Sequence, residues 1–181
     1  GWTTGSWNPL VYINEYLYYS HRCKDAKARA HYDGVARFFR AYFYFEKVKR
    51  FGDVPWYDTP IGSDDPALYK ERDSRQFVME KVMEDIDYAI ENLPTTVDVY
   101  NVTRWTALAL KSRICLFEGT YRKYHGIDGS EEFLSACADA SEKFISSSPY
   151  GIYTSGTYPY RDLFAAKNAT STQTEVILAR D

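Results

Sequence analysis

Between Asp25 and Arg50 the apolar residues keep helical spacing for longer, and on more sides, than a surface helix needs. Val35, Phe38, Phe39, Tyr42 and Phe45 predict one face by i, i+3, i+4 spacing. Ala36, Phe43 and Val48 add apolar surface elsewhere, so the predicted helix is covered on more than one side. Ala36 and Ala41 leave room for a neighbouring helix to approach closely. The segment ends in Gly52-Asp53-Val54-Pro55, where Gly52 is a natural terminator and Pro55 fixes the exit. Trp56 and Tyr57 follow at once, and this stretch either holds helices together or presents two rings to a ligand.

The rest of the chain reads as partners for that helix. Residues 8–22 place Leu10, Ile13, Leu17 and Tyr18 at short-helix spacing. Residues 51–72 form a long loop, beyond the roughly 12–15 residues usual without a functional or packing reason. Asp73 and Gln76 fit a capping box for the next helix. Its predicted core face is Phe77, Val78, Val82, Ile86, Ala89, Ile90 and Leu93, and Pro94 stops it. Thr103 is a plausible N-cap for a helix running to about Tyr124. That helix buries Trp105, Leu108, Ala109, Ser112, Cys115 and Leu116. Asp128 and Ser130 offer caps for a further helix with Phe133, Leu134, Cys137, Ser141, Phe144 and Ile145 inward, ended by Pro149 and Gly151. Glu175–Ala179 reads as a short extended segment. The expectation is an all-α fold of tetratricopeptide-like, α-solenoid-type helix pairs with long irregular loops. The pairs run over about 25–93 and 103–148, with an irregular tail at 149–181, in one incomplete helical domain over 1–181.

With 181 residues the chain can bury one good core or form part of a larger one. A net charge of −3, with acids and bases interspersed, argues against a dedicated nucleic-acid binder, which would carry a basic stripe. No apolar run reaches the ~18 residues that span a bilayer, and the opening GWTTGSWNPL is no signal peptide, so the chain as given reads as soluble. Cys23, Cys115 and Cys137 follow no metal spacing and are expected as buried core thiols.

Catalytic patterns are absent: no HExxH, no G-x-S-x-G and no phosphate-cradling glycine loop. His21, His31 and His125 lie far apart in sequence, and Glu84, Asp85 and Asp87 read as a solvated face or a structural salt bridge. Asp64-Asp65 has no EF-hand spacing, and turn chemistry explains it better than calcium. Asn101-Val102-Thr103 and Asn168-Ala169-Thr170 match the glycosylation pattern. No catalytic residue, metal or cofactor is therefore expected. The chain is rich in rings, with seventeen Tyr and ten Phe, and sugars pack their C–H faces on flat rings while a few polar groups orient them. Trp2 and Trp7 precede the first helix, with Asn8 beside Trp7. Trp56, Tyr57 and Asp58 stand together in the long loop, with Tyr69 further on, whereas Trp105 lies on an apolar stripe and reads as core. The candidate ligand-binding set is Trp7, Asn8, Trp56, Tyr57, Asp58 and Tyr69. For Trp56 and Tyr57, packing back against the helix they leave is the stronger reading.

Four blocks now resemble one family. GVARFFRAYFYFEKVKRFGDVP is similar to the signature of the SusD/RagB family, surface nutrient-binding lipoproteins of Gram-negative outer membranes. RDSRQFVMEKVMEDIDYAIENLP resembles the family's second helix through Arg72, Asp73, Ser74, Asp85, Ala89, Leu93 and Pro94. NVTRWTALALKSRICLFEG resembles the next, through Arg104, Ala107, Ala109, Leu110 and Arg113, and TEVILA resembles a short segment after the paired helices. Val35 stands where the family usually has Glu, and Trp56 where a small aliphatic is common. Family members are longer and carry an N-terminal lipoprotein cysteine not found here, so the chain is read as an internal or N-terminal part of one. The resemblance implies an all-α body and a non-catalytic lid on a SusC-like TonB-dependent transporter. It implies capture of oligosaccharides, or of peptides in RagB-like members. It also implies a cell-surface location on the outer membrane, held by a lipid anchor that is absent from this chain. The alternatives are a peptide-binding variant, a cytoplasmic tetratricopeptide-like scaffold and an all-α carbohydrate-active enzyme.

Overall fold

The computed structural model describes residues 3–166 and 174–179. Trp2 and the Asn168-Ala169-Thr170 sequon lie outside them. Among the described residues the regular structure is helical, with one isolated antiparallel bridge, Val54 to Asp73. The chain divides into two compact units, Gly1–Asn92 and Leu93–Asp181.

The first unit holds a 3-10 turn Thr4–Trp7, helix α1 (Asn8–Tyr19), a 3-10 turn Ser20–Arg22, α2 (Ala26–Phe51), a 3-10 turn Pro66–Tyr69 and α3 (Arg75–Asn92). Pro9 sits in the first turn of α1, where a missing N–H costs nothing. Asp25 caps α2, its carboxylate accepting the Lys27 and Ala28 N–H groups at 3.0 Å each. The buried stripe of α2 is Phe38, Ala41, Tyr44, Phe45 and Val48, while Phe39 and Tyr42 stand exposed. The expected face is thus rotated by about one residue, because Tyr44 takes the centre and packs on Trp56 of the long loop. From α3 come Val78, Met79, Val82, Ile86 and Ala89, each fully buried, with Phe77 left exposed. Burying each Val, Met or Ile among them stabilises by about 1.5–3 kcal/mol, so the α2–α3 contact dominates this unit. The predicted Asp73–Gln76 box does not form. Ser74 caps α3 instead, its hydroxyl accepting the Phe77 N–H at 3.3 Å.

The second unit holds α4 (Arg104–His125), α5 (Ser130–Ser147) and the short α6 (Pro159–Ala165). Thr103 opens α4 with a reciprocal box in which its hydroxyl accepts Thr106 N–H and the Thr106 hydroxyl accepts Thr103 N–H. Gly126, at φ 64°, closes α4, and Gly129, at φ 83°, opens α5 with no side-chain cap. Neither predicted cap is used: Ser130 donates to the Gly119 carbonyl at 2.9 Å, and the Asp128 carbonyl accepts from Arg122 at 3.0 Å. At Gly119 the helices nearly touch, for an added Cβ would lie 2.8 Å from Leu134 Cγ. Trp105 is core as expected, its indole N–H donating to the Thr95 carbonyl at 2.9 Å. Leu116 and Ile145 are exposed, the latter by 79%, contrary to the periodic reading. The apolar stripe of α5 is wider than its contact with α4, and only Ala140 is fully covered. The thiols also depart from expectation, since Cys115 is buried, Cys137 half-buried and Cys23 exposed. Cys23 follows the Ser20–Arg22 turn, outside the helical stripes. Residues 176–179 form no strand, and Ala179 N–H donates to the Val99 carbonyl at 2.7 Å.

Candidate functional site

The long loop is clasped at both ends before it opens. Asp53 of the Gly-Asp-Val-Pro turn accepts the first N–H of α3, from Arg75, at 2.8 Å. Asp73 N–H donates to the Val54 carbonyl at 3.2 Å, and the Asp73 carboxylate accepts Trp56 N–H at 2.7 Å. Lys70 completes the clasp, 2.6 Å from the same carboxylate. These bonds turn Trp56 inward. It is 7% exposed, its ring lies 4.3 Å from that of Tyr44, and the Arg40 guanidinium is 5.2 Å from its centroid.

Tyr57 is turned to a cavity of about 250 Å³. Its N–H donates to the Tyr44 hydroxyl at 2.7 Å, and its own hydroxyl donates to the Ala67 carbonyl at 3.0 Å. Trp7 forms the facing wall, with ring centroids 6.3 Å apart and planes at 74°. Phe43 meets Trp7 edge-on at 5.4 Å, and the Lys47 ammonium lies 4.9 Å from the indole. Lys47 donates to the Ser6 carbonyl and hydroxyl, which holds the turn carrying Trp7 against α2. Burial, and then the charge of Arg50, push the Lys47 ammonium below its ordinary range.

The floor of the cavity is Asn14, 2% exposed. Its amide N–H donates to the Tyr57 carbonyl at 2.8 Å, and its amide oxygen accepts from Arg40 at 3.3 Å. Arg40 grips Asp85 with two bonds of 2.6 and 2.8 Å, and Asp85 is 1% exposed. Burial pushes the Asp85 carboxyl up while the bonds and charge of Arg40 pull it back, and the net direction is upward. One chain of polar contacts therefore links α3, α2, α1 and the long loop, and it fixes which way the Asn14 amide faces.

Of the candidates from sequence, Trp7 and Tyr57 meet at this cavity. Asn8 and Asp58 are exposed and line no part of it, and Tyr69 is 87% exposed beside Leu68, which does line it. Trp56 belongs to the core. Asn14 was missed, although a polar residue between Leu10 and Leu17, at the i+4 position of that stripe, was a readable signal.

Among the described residues lining the cavity the only titratable group is the Tyr57 phenol, which burial holds above its ordinary range. Two rings and an amide can grip a ligand but offer no acid–base pair. Among the described residues no cluster of His, Cys, Asp or Glu could hold a metal ion, and Asp65 caps the Pro66–Tyr69 turn through Ala67 N–H at 2.8 Å. No helix among them is long and apolar enough to cross a membrane.

Comparison with known proteins bears on the whole chain. Residues 4–116 match a SusD-like family described as starch-binding and associating with the outer membrane. SusD-like protein P38 of Formosa agariphila is 28% identical over 134 residues, covering 74% of this chain and 24% of that protein. A SusD-like protein of Bacteroides fragilis superposes with a TM-score of 0.73 at 22% identity, over 96% of this chain and 32% of its own. A laminarin-binding SusD-like protein gives 0.74 at 18% identity, over 96% of this chain and 35% of its own. These structural likenesses speak for the fold. The chain spans about a quarter of the curated relative and about a third of these two structures. The family match takes in the clasped loop, both rings of the cavity and the helix pair behind them, and by it this chain belongs to the SusD-like family.

Proposed function

We propose that this chain is part of a non-catalytic glycan-binding protein of an outer-membrane nutrient uptake system. It captures an oligosaccharide or polysaccharide at the Trp7–Tyr57 cavity and passes it to a SusC-like TonB-dependent transporter. The protein sits at the cell surface on a lipid anchor. The observation that carries the reading is the corner of two rings at 74° over a fixed amide, in a family described as starch-binding and associated with the outer membrane. One ring offers a face to sugar C–H groups while the other meets the edge, and Asn14 supplies orientation. Such a site holds few ligand atoms, so single-site affinity is weak and repeated engagement along a polymer raises it.

Calorimetric titration of the chain with laminarin, xyloglucan oligosaccharides, starch and a peptide digest tests this, repeated with Trp7→Ala, Tyr57→Ala and Trp56→Tyr. Saturable glycan binding is expected, lost in the first two variants and kept in the third. Binding to peptides alone would replace this reading with the peptide-binding one, and glycan binding indifferent to Trp7 and Tyr57 would move the site elsewhere.

A further inference from the structure

We infer that the corner between α1 and α2, residues 20–29, is a second contact site on this protein. It takes the carboxylate or sulfate ester of an acidic polysaccharide that also occupies the Trp7–Tyr57 cavity. The inference rests on the capture reading above and names the class of polymer that reading leaves open. Residues 22–29 carry Arg22, Lys24, Lys27 and Arg29 against the single acid Asp25, in a chain whose 22 Lys and Arg are outnumbered by 25 Asp and Glu. Asp25 is spent on the helix end, its carboxylate accepting the Lys27 and Ala28 N–H groups. Arg22, Lys24 and Lys27 are exposed and pair with no acid among the described residues.

Helix α1 connects this corner to the cavity. Val11 lines the cavity, and Tyr18 follows seven residues later on the same face of the helix, about 10 Å along it. Both are about half exposed. The Tyr19 ring meets that of Tyr18 edge-on at 5.0 Å, and the Arg22 guanidinium lies over Tyr19 at 4.2 Å. A guanidinium held over a ring still offers its fork of N–H donors, which suits a carboxylate or a sulfate better than a neutral hydroxyl. Glu15, the one acid of α1, lies one turn from both Val11 and Tyr18. It accepts hydroxyls and repels anions, so it favours neutral sugar residues along the helix and leaves the acidic one to the corner. From Ser20 to Arg29 there is no Trp, Phe, Leu or Ile, so the corner has no apolar anchor for a bilayer, while the rings beside it suit a sugar face.

Two matched pairs isolate the charge: laminarin with laminarin sulfate, and methyl-esterified polygalacturonate with the free polygalacturonate. Each is titrated calorimetrically into the chain, with polyglutamate and phosphatidylglycerol vesicles alongside. One variant is Trp7→Ala, and a corner variant combines Arg22→Gln, Lys24→Gln and Lys27→Gln. A control combines Lys123→Gln, Lys143→Gln and Arg161→Gln, three exposed cations of the second unit. In at least one pair the acidic member is expected to bind about tenfold tighter at low salt, the joint effect of three exposed charge contacts. The corner variant and high salt each erase that difference and leave the neutral member unchanged, the control variant keeps it, and Trp7→Ala weakens both members. Equal affinities within both pairs, a preference that survives in the corner variant, or one lost equally in the control overturns the inference. Acidic-glycan binding indifferent to Trp7→Ala overturns it too, because the polymer then does not reach the cavity. Polyglutamate or the vesicles held through the corner as tightly as the acidic glycan would also overturn it, assigning the corner to acidic protein or to lipid. Where the neutral member still binds in a Trp7-dependent way, only the role of the corner has failed. Silence of every glycan sinks both readings.

Discussion

The α2–α3 pair and the α4–α5 pair share a topology and differ in what joins and crosses them. Residues 52–74 join the first pair and residues 126–129 the second. Each pair also buries one ion pair. In the first, Arg40 and Asp85 reach across from α2 to α3, and the contact extends to Asn14 under the cavity. In the second, Glu118 and Arg122 sit one turn apart on α4, and Arg122 ties down the Asp128 carbonyl in the tight connection. The first arrangement orients the floor of a cavity, while the second finishes a turn. The difference teaches that in this fold a long connection leaves room for a cavity, and a short one leaves only packing.

The sharpest way to break that contrast is to delete one acid from each pair. Asp85→Ala leaves Arg40 buried without its carboxylate and is expected to cost about 3–5 kcal/mol in chemical denaturation. Glu118→Ala disturbs a buried guanidinium in the same way and is expected to cost a similar amount, about 3–5 kcal/mol. Glycan affinity separates them, because only loss of Asp85 frees the Asn14 amide. Equal ligand affinity in the folded fraction of both variants would show that the Arg40 chain is structural alone.

A smaller effect probes the short side. Gly119→Ala drives a methyl group against Leu134 and is expected to destabilise by about 1–3 kcal/mol, read as a lower Tm. It leaves ligand affinity unchanged. A Tm equal to that of the native sequence would show that α4 and α5 can separate freely.

The smallest effect near neutral pH lies in two phenols of the first unit. Burial raises the Tyr44 phenol far above its ordinary 10.0 and raises Tyr16 to about 12. A phenol whose folded pKa is raised binds its proton more tightly in the folded state, so its contribution is complete below pH 10 and is lost as pH climbs beyond. Tm is therefore expected to hold from pH 8 to about 10 and then fall. Tyr44→Phe lowers Tm at pH 8 by removing the acceptor for Tyr57 N–H, yet it flattens the alkaline slope. An unchanged slope would place the titrating group elsewhere.

Much of the helical scaffold was legible because its signals are local. Thr103 and Gly52 mark helix ends through capping and φ preference, and the α3 stripe from Val78 to Leu93 announces its own period. The site was half legible, and the missing half depends on distant partners. Sequence places Trp56 and Tyr57 side by side, but which ring turns inward is decided by Asp73, seventeen positions on. Asn14 looks like a break in a stripe until Arg40 and the Tyr57 carbonyl are there to satisfy it. Asp85 looks like one of three acids on a helix until α2 crosses it. Leu116 and Ile145 failed in the other direction, since apolar spacing tells which face is able to be buried and not whether anything covers it.

The clasp at the loop ends has a consequence for how such a protein diversifies. Asp53 with Arg75, and Val54 and Trp56 with Asp73, fix where the connection leaves α2 and enters α3, whatever lies between. Lengthening a closed loop costs only about 0.6 kcal/mol per doubling, so residues 58–66 can be exchanged or extended with little penalty to the helices. Inheritance can then rewrite one wall of the cavity, Thr59 to Ile61, and keep the other, Trp7 to Asn14, intact.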